Sequence, residues 1–158
     1  PVTGREEGRP MFLRRPDSHL GLANFMRSHL YASLATLKIG LDILLKEEDV
    51  KIDSITGHGG LFKTKGVGQS ILAADMNAPI SVMETAGEGG AWGMALLAAY
   101  MLSKKDGQSL GDYLDSRVFA ERKSETMEPD LADVAGFETY TKQYQACLAA
   151  EKAAVQAF

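Results

Sequence analysis

Two short β-prone segments in this chain each run straight into a cluster of glycines and then into a helix-forming stretch, and this repetition limits the fold more than any other feature. The first is Val50 to Thr56, with Ile52 and Ile55 alternating with polar residues, followed by Gly57-His58-Gly59-Gly60. The second is Pro79 to Glu84, followed by a turn over Gly87 to Gly90. Between them, Thr64 is placed to cap a helix to about Met76, with Val67, Ile71 and Leu72 inward and Asn77 and Pro79 as its stop. Strand, helix, strand with turns of this kind predicts an α/β layer whose parallel strands are joined by right-handed crossovers.

The flanking segments are helical. Leu22, Met26, Leu30, Leu34, Leu37, Leu41 and Leu44 recur every three or four residues, one face of a long helix that ends in the charged run Lys46 to Asp49, with Ser18 or Asn24 to cap its start. Alanine and leucine from Ala91 to Ser103 predict a buried third helix. A shorter helix is expected from Gly107 and Ser109 through Val118, a loop over residues 120–130, and a last helix from about Leu131 or Phe137 to Val155 carrying Tyr140, Tyr144, Cys147 and Leu148 along one side. Residues 1–19, with three prolines, predict a surface connection. Two or three strands make a thin sheet with unpaired edges, so the chain reads as one domain, residues 1–158, that lacks its first strands.

Composition narrows the classes of partner. The 158 residues are 45% hydrophobic and carry a formal charge of -4 with both signs interleaved, which leaves no basic face for nucleic acid or anionic lipid. The longest apolar stretch, Ala91 to Leu102, is well short of the ~20 residues that span a bilayer, and the polar start does not resemble a signal peptide. The single cysteine, Cys147, allows no internal disulfide and is expected to be buried and reduced, which fits a cytoplasmic protein.

Glycines at the end of a strand let the backbone approach a ligand at the carboxyl edge of a sheet, so the turn at Gly57 is either a nucleotide seat or simply a tight strand-to-helix connection. Lys63-Thr64 follows Phe62 rather than a glycine, so a P-loop is ruled out. Gly57 and Gly59 match the first and third glycines of a dinucleotide fingerprint, Phe62 stands in the place of the last, and Glu84 sits where a ribose-binding acid would, which keeps a dinucleotide-binding domain as an alternative. A non-catalytic docking module with purely structural turns is the other. Trp92 reads as a core residue rather than a base-stacking one. Asp42, Asp53 and Asp75 are the acids open to nomination as a general base, and none has a setting that favours it. His19, His29 and His58 lack metal-ligand spacing, so neither a catalytic residue nor a metal site is assigned.

Taken in order, Gly4 to Pro10, Gly21-Leu22 with His29-Leu30, Gly57 to Phe62, and Glu84 with Ala91-Trp92-Gly93-Met94-Ala95 resemble the C-terminal portion of the FGGY carbohydrate kinases, and Tyr140 to Leu148 resembles that family's last helix. The resemblance implies a ribonuclease-H-like, actin-like ATPase domain with few parallel strands flanked by long helices. It implies ATP and Mg²⁺ as cofactors, a sugar such as xylulose or ribulose as acceptor, and a missing N-terminal domain holding the sugar site and catalytic aspartate. It also implies adenosine contacts at Gly57, Gly59, Gly60, Leu61, Lys63 and Thr64, and an isolated chain without activity. Thr36 stands where the family has an acid, and His58 and Leu61 stand where glycine and alanine are usual. A homodimer is left open.

Overall fold

The computed structural model describes residues 7–52, 54–120 and 124–157. The chain divides into two compact units, a helical one (Pro1–Asp53, Ile71–Asn77, Pro129–Phe158) and a sheet-containing one (Ser54–Ser70, Ala78–Glu128).

The helical unit is built on α1 (Leu22–Lys46) and α5 (Leu131–Ala157). Their seam is aromatic rather than the expected leucine stripe. Tyr31, Leu34 and Ala35 are buried on α1, and Val134, Phe137 and Thr141 on α5. The Tyr31 ring lies 4.6 Å from Phe137 and 5.3 Å from Tyr140. Because the three rings set the rotation of α1, Leu22, Met26, Leu37 and Leu44 are left exposed. Arg27 reinforces the seam with an ion pair to Asp133 at 2.8 Å. Neither Ser18 nor Asn24 caps α1: Ser18 Oγ donates to the Arg15 carbonyl, Asn24 Nδ2 donates to the His19 carbonyl, and Gly21 holds the N-cap position without a side-chain bond. Cys147 is exposed rather than buried, because it lies off the Phe137, Thr141, Tyr144 row that faces α1.

The sheet unit has the order β1-β2-β3. β1 (Ile55–Gly57) and β2 (Ile80–Met83) are parallel, with Ile55 opposite Ile80 and Gly57 opposite Val82. The connection between them is α2 (Val67–Met76), as parallel pairing requires. β3 (Ser124–Met127) pairs antiparallel with β2, where the sequence suggested a loop. Its residues, Ser-Glu-Thr-Met, carry no apolar alternation because most of the strand is exposed. What fastens it is Gln69 at the start of α2, a buried side chain whose Nε2 donates to the carbonyls of Ile80 at 2.7 Å and Glu125 at 2.8 Å.

After β2 come α3 (Gly89–Ser103) and α4 (Leu110–Arg117). Ser109 caps α4, its Oγ accepting from the Asp112 amide, and Tyr100 stacks edge-on against Tyr113. α3 corrects another expectation: none of its residues is buried, although the helix has no charged residue. Only the side bearing Trp92, Leu96 and Tyr100 is partly covered, while Met94, Met101 and Leu102 lie open. Trp92 is half-buried, near Phe119. Among the described residues, no helix is long and apolar enough to cross a membrane.

Phe137 is the largest fully buried side chain among the described residues, so Phe137→Ala is expected to cost about 3–5 kcal/mol of stability, read as a lowered midpoint in urea unfolding followed by far-UV circular dichroism.

Candidate functional site

The parallel pair sends both glycine turns out of the same, carboxyl edge of the sheet, and the two turns lock together there. The Gly59 amide donates to the Ala86 carbonyl at 2.7 Å. Lys63 Nζ meets Glu88 Oε1 at 2.6 Å. Gly87 lies against the Lys63 stem and Gly89 against the His58 ring, where an added Cβ would fall 3.2 Å and 3.0 Å from its nearest neighbour. These close approaches leave little room for a side chain at Gly87 and Gly89 on the second turn.

The glycines fall into two groups. Gly57 and Gly68 are filled positions. A Cβ at Gly57 would meet the Phe62 ring at 2.2 Å, and one at Gly68 would meet the Leu61 carbonyl oxygen at 2.3 Å. Gly57, expected to lie against a ligand, therefore gives its bare side to Phe62. Leu61 is half-buried, with its carbonyl under the first turn of α2. Gly59, Gly60 and Gly90 are open, with nothing within 4 Å of an added Cβ. Gly59 also has φ +106°, a left-handed conformation that suits glycine. Bare backbone is thus presented outward at Gly59 and Gly60, and at Gly90 in the first turn of α3. The N-cap residue of that helix, Glu88, makes no side-chain cap, so the positive end of the helix dipole is not offset by a capping side chain.

Beside the turns lies a cavity of about 500 Å³. Phe62, Thr64, Gln69, Met83, Glu84 and Glu125 are among its lining residues. Lys65, also in its lining, pairs with Glu125 at 3.0 Å. The structure therefore brings Thr64 to the cavity wall and binds Lys63 to the second turn. Sequence reasoning did not anticipate Gln69 or Glu125, because both act through β3, which leaves no pattern in the sequence.

The remaining nominations lie elsewhere. Asp53 is outside the described residues. Asp42 and Asp75 belong to the helical unit. Burial works against the Asp42 carboxylate, yet hydrogen bonds from Lys38 and Lys46 hold it below the usual range. His29 is an exposed α1 residue against Phe25. Among the described residues, no three His, Cys, Asp or Glu side chains stand close enough to hold a metal ion.

A family model for the C-terminal domain of the FGGY family of carbohydrate kinases matches residues 2–102, the greater part of the chain. The chain belongs to that family. The FGGY match takes in α1, both glycine turns and nearly all of α3, and it carries the ribonuclease-H-like, actin-like ATPase fold with it. α4, β3 and α5 follow the matched segment. Comparison with the curated proteins and with the solved structures gives no match.

The Gly68 contact is with backbone and cannot yield by rotamer change, so Gly68→Ala should displace the first turn of α2 and loosen the Gln69 clamp. Amide hydrogen exchange is expected to quicken at least tenfold over residues 124–127, while Gly90→Ala leaves it unchanged.

Proposed function

We propose that this chain is the nucleotide-side, C-terminal portion of a sugar kinase that moves the γ-phosphoryl group of ATP to a hydroxyl of a ketopentose such as xylulose or ribulose. The observation that carries the reading is the pair of interlocked glycine turns at the carboxyl edge of β1 and β2, with open backbone at Gly59, Gly60 and Gly90. Ligands of open α/β sheets bind at that edge, where glycine lets a flat base or ribose rest on the main chain.

Adenosine would lie over Gly59 and Gly60, with Thr64 at its rim and Lys63 held clear by Glu88. The uncapped amides of α3 at Gly90 suit the negative end of the same ligand. Bound ATP supplies the γ-phosphoryl group. What these residues contribute is position, which is most of what phosphoryl transfer asks of a protein. Mg²⁺ finds no set of side-chain ligands among the described residues, and would be carried on the nucleotide's phosphates.

The sugar site and the general base are assigned to a preceding domain of the full-length kinase. The exposed apolar face of α3 supports that division, because a helix without charge is normally covered on every side. A cytoplasmic location goes with the same reading.

Gly60→Trp in the full-length protein places an indole where the base would rest. The apparent KM for ATP is expected to rise at least tenfold, about 1.4 kcal/mol, with the KM for the sugar little changed. An unchanged KM for ATP would remove the nucleotide from this turn.

A further inference from the structure

In the helical unit four successive residues near the end of α2, Leu72, Ala73, Ala74 and Asp75, are all buried. Asp75 is the charged residue among them. Its relative exposure is 0%, and neither carboxylate oxygen has a hydrogen-bond partner. It also sits at the C-terminal end of a helix, where the dipole opposes negative charge. An unpaired, dehydrated carboxylate is costly enough that a neutral acid is the expected form.

Two charges act on it, both from α1. Lys38 favours its ionisation and Asp42 opposes it, while burial dominates and pushes the carboxyl up to about 7. The Lys38 ammonium is itself largely covered, at 12% exposure, and is bonded to Asp42 Oδ1 at 2.8 Å. Asp42 has a second cation, the exposed Lys46, on its other oxygen at 2.9 Å. One covered lysine therefore acts on two acids, and the acid that now holds it has a substitute cation. Behind these groups, Glu138 of α5 acts on Lys46.

We propose that Lys38 is a shared cation whose position is set by a proton: it rests on Asp42 while Asp75 is protonated, and moves to Asp75 when that proton leaves to solvent, with Lys46 remaining on Asp42. α1 and the end of α2 would thus share a two-position lysine switch.

The sign of the accompanying stability change follows from linkage. Between the ordinary Asp value of 3.8 and about 7, the folded chain keeps a proton that the unfolded chain has released. Stability therefore falls as pH rises through that window and levels off above it.

The test combines structure and titration on the intact protein. Crystal structures at about pH 5 and about pH 9, on either side of neutrality, are expected to show Lys38 Nζ on Asp42 in the first and within hydrogen-bond distance of Asp75 in the second. Carboxyl ¹³C NMR reports the ionisation of Asp75 directly, and Lys46→Met, an exposed substitution that leaves Asp42 dependent on Lys38, is expected to raise its midpoint. Relative to Asp75→Asn, the wild-type unfolding constant should increase by up to about tenfold per pH unit between pH 5 and 7. Lys38 remaining on Asp42 while Asp75 is ionised would overturn the proposal. So would an Asp75 midpoint in the ordinary carboxylate range, or an Asp75 that is still protonated at pH 9.

Discussion

Parallel pairing of β1 with β2 is the constraint from which the candidate site follows. Two parallel strands cannot be joined by a hairpin, so the chain must leave β1 at its carboxyl end, cross back as α2 and enter β2 beside the start of β1. Both strands then finish at one edge, and whatever follows each of them is brought together there. In this chain glycine turns follow both. Their contact through the Gly59 amide and the Ala86 carbonyl, and the close fit of Gly87 and Gly89 against Lys63 and His58, are consequences of that geometry rather than separate features.

Much of this arrangement was legible in the residues. Strand, glycine turn and helix are local signals, and the strands at Ile55 and Ile80 follow from β-branched residues next to glycine or proline stops. The arrival of both turns at the carboxyl edge follows from the same signals, and Gly59 and Gly60 are open there. What could not be read depended on tertiary partners. β3 is formed by Ser124–Met127, a polar segment that becomes a strand because β2 offers a free edge and Gln69 holds the Glu125 carbonyl. Gly57 reads like a ligand-facing glycine, yet Phe62 fills its bare side, a contact that no spacing rule reveals.

The helices show the same limit from the other direction. Leucine spacing located α1 correctly and misjudged its rotation, because aromatic packing of Tyr31 with Phe137 and Tyr140 decides which side faces inward. The apolar run of α3 suggested a core helix, and Cys147 suggested a buried thiol. Composition records the preference of a segment for burial, and cannot say whether the covering surface lies within the same 158 residues. Asp75 is the reverse case: a charged residue by type that the packing of its helix has removed from water.

The most direct measurement is a calorimetric titration of this chain with Mg-ADP, run beside NAD. Saturable binding of ADP, absent for NAD and lost in Gly60→Trp, is the predicted result and would put the nucleotide grip on these turns. Binding of NAD in preference to ADP, or ADP binding that is indifferent to Gly60→Trp, would contradict it.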